Sequence, residues 1–157
     1  MKIKIIILPI GLLFFTSFAR ADFNEYVLGL YDDYQERERQ CLVEAQANTI
    51  SYEEIAELKE YKQKDIEAYA IKKGIDYKIQ CTSKEMVQVL HAGWVAHRVS
   101  VYDKLVNNFD YILDDIVDPR YLDAIIHLGG ASEKTLNGLE QIEYFQKPFD
   151  IESRPWE

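Results

Sequence analysis

Residues 23–48, FNEYVLGLYDDYQERERQCLVEAQAN, carry the pattern that makes this chain helical. Phe23, Val27, Leu30, Tyr34, Cys41 and Ala45 recur at steps of three, four or seven, which is one face of an amphipathic helix. Between them, Gln35-Glu36-Arg37-Glu38-Arg39-Gln40 is wholly polar and interrupts the stripe for a turn. It reads as a solvated helix face with local ion pairs. Cys41 falls on the apolar side, where a bridge to a neighbouring helix is geometrically natural.

The same period continues downstream. Ser51-Tyr52-Glu53-Glu54 fits a capping box and predicts a second helix over 52–73, with Ile55, Leu58, Ile66 and Tyr69 inward. Lys72-Lys73-Gly74 reads as its C-terminal stop. Thr82-Ser83-Lys84-Glu85 fits another capping box and predicts a third helix over 83–109. That helix is apolar most of the way round, from Met86, Val89 and Trp94 to Phe109, and is expected at the centre of its bundle. The stretch 111–117 either extends it or forms a separate turn. Asp118-Pro119 reads as N-cap and first helical residue, with the helix ending at Gly129-Gly130. A last helix is expected over 132–145, with Leu136, Leu139, Ile142 and Phe145 as its core side. No strand alternation and no internal repeat is present. The expected fold class is therefore all-α: a small helical bundle or orthogonal array of three long and two short helices. Residues 22–146 form the helical domain, and the proline-containing stretch 147–157 is expected to be extended or mobile.

Ahead of this domain the chain opens Met1-Lys2-Ile3-Lys4, runs apolar from Ile5 to Phe15, and places Ala19 and Ala21 around Arg20. A basic start, an apolar middle and small residues at −3 and −1 are the parts of a secretory signal, expected over residues 1–21. The apolar stretch is short for a bilayer span, which takes about 20 residues. No stable membrane insertion is expected after cleavage. No cysteine lies near the cleavage point, which disfavours a lipid anchor. The periplasm is the expected compartment, with the cell exterior second. An exported chain with two cysteines, Cys41 and Cys81, is expected to join them in one disulfide.

Charge narrows the partners. The 157 residues hold 18 Lys+Arg against 27 Asp+Glu, net −9. Removing Lys2, Lys4 and Arg20 with the leader takes three bases and no acid, leaving 15 against 27 and a net −12. Phosphate backbones would repel such a chain, so nucleic acid is excluded as a partner class.

No motif for chemistry stands out. His91 and His97 are six apart on one helix and point about 120° away from each other, so no metal site is expected. There is no nucleophile elbow, P-loop or dinucleotide fingerprint, and no cofactor is implied. Asp110, Asp114, Asp115, Asp118 and Asp123 cluster beside Tyr111 and Tyr121. They read as a solvated acidic loop, with acid/base chemistry on a polysaccharide as the functional alternative. The 11 tyrosines are a surplus, and Tyr31 and Tyr61 fall off the apolar stripes in whole or part. Exposed tyrosine suits protein interfaces. With Asp114 and Asp115, these two are the candidate partner-binding residues. The expected function is non-enzymatic binding of another protein, one of basic character, as an immunity or inhibitor protein for a toxin or cell-wall hydrolase. A stress chaperone or homo-oligomeric structural protein is the second expectation, and a carbohydrate-active enzyme using the clustered aspartates the third.

Overall fold

The computed structural model describes residues 10–98, 116 and 118–156, with side chains at 23, 25–95, 116 and 118–156. Five α-helices occur among the described residues: α1 (Ile10–Gln46), α2 (Tyr52–Leu58), α3 (Gln63–Arg98), α4 (Arg120–Leu128) and α5 (Glu133–Gln141). Two 3₁₀ turns follow, Glu143–Gln146 and Ile151–Ser153. The fold is all-α, as the periodicity demands, and no strand occurs among the described residues.

α1 and α3 form the frame. At 1.5 Å per residue each is about 55 Å long. They run antiparallel: Tyr34 of α1 packs with Val89 of α3, while Cys41, further along α1, meets Cys81, further back along α3. The Cys41–Cys81 disulfide is formed, its Cα atoms 6.2 Å apart. Around it, the Arg37 guanidinium donates to the Cys81 carbonyl oxygen at 3.2 Å, and the Lys78 ammonium pairs with Glu38. The polar stretch 35–40 is thus only partly a local network. Arg39 and Gln40 bond Glu36 along the helix, but Arg37 and Glu38 cross to α3.

The main core lies towards the other end of α3. Leu58 of α2, Ile66 and Tyr69 of α3, Ala124 and Leu128 of α4, and Leu139 of α5 pack there with Tyr144, Phe145 and Phe149. The aromatic rings meet edge-on or tilted, with centroids 5.3 Å apart for Tyr69–Phe145 and 5.0 Å for Tyr144–Phe149. Such pairs add about 0.5–1.5 kcal/mol each to the area they bury. Among the described residues, no side chain of α1 belongs to this core. A separate small cluster, Tyr31, Tyr34 and Val89, joins α1 to α3 beyond the disulfide.

Several boundaries differ from the sequence expectations, each for a local reason. Ser51 and Glu54 do form the capping box, but the helix they start ends at Leu58. Gly74 does not stop a helix. It lies inside α3, and a Cβ there would stand 2.2 Å from Ile151 Cγ1, so its role is to leave room for the C-terminal turn. Thr82-Ser83-Lys84-Glu85 starts nothing either. The buried Thr82 hydroxyl donates to the Lys78 carbonyl at 2.9 Å, one turn back, so it is satisfied inside a continuous helix. The three long and two short helices therefore become two long and three short ones among the described residues. Asp118 acts one residue earlier than a formal cap, its Oδ1 accepting from the Arg120 N–H at 2.9 Å. The last helix forms, capped by Ser132, but the chain turns extended at Ile142 and continues as a 3₁₀ turn. The expected continuation of the third helix beyond Arg98 lies outside the described residues.

The C-terminal stretch is the largest correction. Phe149 is buried, and Ile151 and Trp156 pack against the main core. The backbone of the 3₁₀ turn Glu143–Gln146 that leads into it is tied down as well. Glu54 Oε1 accepts from the Tyr144 N–H at 2.7 Å, Asn48 donates to the Tyr144 carbonyl at 2.9 Å, and the Tyr77 hydroxyl donates to the Phe145 carbonyl at 2.8 Å.

Two stability measurements check this arrangement. Replacing both cysteines by serine is expected to lower stability by about 3–4 kcal/mol, the chain-entropy value for a loop of 40 residues. Hydrogen exchange of that variant should accelerate in residues 25–46 far more than in 63–72, because α1 has no share in the main core. Uniform acceleration of both segments would contradict the two-cluster description. Gly74→Ala should destabilise by about 1 kcal/mol in urea titration, overpacking against Ile151 outweighing a gain of about 1 kcal/mol in helix propensity. In an Ile151→Ala background the same substitution should become neutral or stabilising.

Candidate functional site

The frame and the docked C-terminal segment leave a trough between them. It has a volume of about 650 Å³, within the span of about 300–1,000 Å³ that ligand sites occupy. One wall is α1 from Glu38 to Ala45, a run of about 10 Å. The opposite wall is the segment Pro148–Glu152 together with Asp118 and Arg120, and α3 from Gly74 to Cys81 lies between. The disulfide lines the trough. Leu42, Ala45, Ile75 and Phe149 are among its apolar lining residues. Ala45, Ile75 and Phe149 are buried, whereas Leu42 is 45% exposed.

Charged groups rim this surface, and most are paired. Lys78 pairs with Glu38. Burial, the largest single influence, would lower its pKa, but the hydrogen bonds and charge interactions with Glu38 and Tyr34 together outweigh it, so the ammonium is held above its ordinary range. Arg120 grips Asp118 at 2.7 Å and Glu152 at 2.7 Å. The hydrogen bond from Arg120 holds the Asp118 carboxyl below its ordinary value of 3.8 and, reciprocally, raises the guanidinium. Arg39 turns away from the trough to Glu36 at 2.5 Å. Two lining carboxylates have no cation in the trough. Glu44 lies 4.0 Å from Arg37, which is not a lining residue. Asp150 accepts from the Gln46 amide at 3.3 Å and the Glu152 N–H at 3.0 Å.

The candidate residues read from sequence fall in different places. Cys41 and Cys81 are joined and sit in the trough. Tyr31 is not an exposed ring: it is 8% exposed and stacks on Tyr34 with centroids 6.2 Å apart. Tyr61 is half-buried against the main core, its hydroxyl 2.1 Å from where a Cβ on Gly138 would stand. Tyr31 is thus a packing residue, whereas Tyr61 packs on one side and keeps part of its ring exposed. Asp114 and Asp115, with Asp110, lie outside the described residues. Asp118 is committed to Arg120, and Asp123 stands exposed on the first turn of α4. Among the described residues, no group of three or more His, Cys, Asp or Glu is placed to hold a metal, and no helix is long and apolar enough to cross a membrane.

Leu42, Glu44, Ile75, Phe149 and Asp150 were not singled out by sequence reasoning. A weak signal exists in Leu42-Val43, two apolar residues beside the Cys41/Ala45 stripe that broaden it past what one neighbour covers. Nothing local announces that residues 148–152 return to face them. No protein-family model matches the sequence, and no curated protein and no solved structure matches it.

The carboxyl groups set the acid limit of the fold. Asp118 is depressed through Arg120. For Glu54, burial raises the pKa, but bonds from the Ser51 backbone and hydroxyl and from the Tyr144 backbone outweigh it, leaving the carboxyl below its ordinary 4.5. A depressed folded-state pKa contributes stability that is complete above the ordinary value and lost as pH falls through the folded value. Stability should therefore hold from neutrality to about pH 5 and fall below it. Asp118→Ala should cost about 1 kcal/mol at neutral pH, the value of a lost helix-end bond, and progressively less below the ordinary carboxylate range. A cost that stays constant down to acid-unfolding conditions would show that the ion pair is not what Asp118 contributes.

Proposed function

We propose that this chain is an exported, non-enzymatic binding protein whose partner is a basic protein. It would act by stoichiometric occupation, as an immunity or inhibitor protein does to a toxin or a cell-wall hydrolase. Residues 1–21 serve as the leader in this reading, and the periplasm is the favoured compartment. The observation that carries it is the trough beside the disulfide: an apolar surface for a partner side chain, rimmed by an excess of carboxylates. The net charge of −9 supports the choice of a basic partner, because it would steer cationic proteins to the chain at rates that fall with salt. The disulfide supports an oxidising compartment.

The carbohydrate-enzyme reading loses one of its acids on physical grounds. Asp118 is locked by Arg120 and kept ionised, which suits neither a general acid nor a mobile base.

The test is recovery of partners from envelope extract of the native host on immobilised mature protein. One stoichiometric partner of positive net charge is expected at low salt, released at high salt. Recovery of no stoichiometric partner, or of one that is acidic and salt-insensitive, would sink the reading.

A further inference from the structure

We propose that the trough takes one amphipathic, Lys- or Arg-bearing segment of the partner. Its apolar side would lie on Leu42, Ala45, Ile75 and Phe149, and its cations would stand at Glu44 and Asp150. This rests on the reading of the chain as a binder of basic proteins, and it specifies the recognition element.

Charge complementarity selects the occupant. Every cation lining the trough is already engaged: Lys78 by Glu38, Arg120 by Asp118 and Glu152, and Arg39 by Glu36. The acids are not all engaged in return. Glu44 has only Arg37 at 4.0 Å, outside the lining, and Asp150 makes no ion pair among the described residues. An acidic segment would therefore meet one carboxylate without an ion pair, Asp150, another held only by Arg37 at 4.0 Å, and no spare cation. A neutral apolar ligand would bury the floor but draw water away from those carboxylates without replacing it. A segment with both apolar and cationic faces satisfies floor and rim together. A second copy of this acidic chain is the poorest match, since like charges would face each other across the trough.

Dimensions agree with one segment rather than a broad face. The α1 wall extends about 10 Å from Glu38 to Ala45, the length of two helical turns. Leu42 stands 45% exposed in that wall, and its methyl groups leave water only when something covers them. Burial should therefore set most of the affinity and the carboxylates the selectivity. A purely cationic chain without apolar residues should bind weakly and be displaced by salt.

The test uses three synthetic probes with the disulfide-bonded protein: an amphipathic Leu/Lys peptide of helical period, its Leu/Glu counterpart, and a lysine-only peptide. Fluorescence anisotropy at moderate salt should show saturable one-to-one binding of the Leu/Lys peptide. The other two should bind weaker by about tenfold or more. Leu42→Asn should weaken the Leu/Lys peptide by about tenfold, as should the pair Glu44→Gln with Asp150→Asn. Asparagine at 150 can still accept from the Glu152 N–H, and circular dichroism should confirm that each variant keeps its helices. Leu122→Asn on the outer face of α4, where Leu122 is 63% exposed, should leave affinity unchanged. Equal weakening by Leu122→Asn, or no weakening by either trough variant, would overturn the assignment. So would self-association of the free protein abolished by Leu42→Asn, which would give the trough to a second copy. The two proposals fail separately. If the trough variants leave a salt-sensitive basic partner still captured from extract, the trough assignment falls and the binding reading stands. If peptide binding behaves as expected but extract yields no basic partner, the reverse holds.

Discussion

The covalent bond between Cys41 and Cys81 joins two helices that also bury apolar side chains, Val27, Tyr31, Tyr34 and Ala45 on α1 and Ile75, Val89 and Ala92 on α3. Among the described residues α1 places no side chain in the main core, and beyond the disulfide Tyr31 and Tyr34 cluster with Val89 of α3. The polar contacts flanking the bond are modest. Lys78 and Glu38 are each 31% exposed, and a pair so placed is worth at most about 1 kcal/mol. A crosslink closing a 40-residue loop removes far more freedom from the unfolded chain, about 3–4 kcal/mol worth. The position of α1 along α3 is thus set by the crosslink together with the packing around Tyr34 and Val89.

The second constraint is the return of the C-terminal segment. It is anchored by rings rather than by secondary structure: Tyr144, Phe145, Phe149 and Trp156 crowd together on α3 and α5. Glu54 links this segment to the start of α2, since one carboxylate closes the capping box and accepts from the Tyr144 N–H. Gly74 provides the clearance that lets Ile151 approach α3. The trough is the space left between a helix clamped on one side by the disulfide and a segment docked on the other by aromatic packing. It needs both anchors, and neither alone would define its width.

The sequence was most legible where the signal is periodic and local. The stripe through Val27, Tyr34, Cys41 and Ala45 marks the buried face of α1, the Ser51/Glu54 box forms, and the two cysteines pair. It was least legible where a local signal competes with tertiary packing. Gly74 after two lysines and Thr82-Ser83 before Glu85 are sound helix punctuation taken alone. Inside α3 the glycine answers to Ile151, and the threonine hydroxyl finds the Lys78 carbonyl, so neither interrupts the helix. The prolines of residues 148 and 155 argue against a helix in the C-terminal stretch. They say nothing against burial, which Phe149 and Trp156 achieve without one. The trough is invisible in sequence for the same reason: Leu42 and Phe149 are brought to one site only by the fold.

Tyrosine illustrates how composition can mislead about function. The surplus suggests an interface, yet Tyr31, Tyr34, Tyr69 and Tyr144 are buried. Tyr77 and Tyr121 lend their hydroxyls to the Phe145 carbonyl and the Asp76 carboxylate, across element boundaries. A fold whose C-terminal segment has only two short 3₁₀ turns needs side chains that fill volume and carry a donor, and tyrosine does both. The excess of acid has a similar division. Most trough carboxylates are consumed by neighbouring cations, so the net charge of −9 describes long-range attraction rather than a contact. At close range the proposed selectivity rests on Asp150, which makes no ion pair among the described residues, and on Glu44, whose cation is Arg37 at 4.0 Å. The total acid count cannot reveal which charges those are.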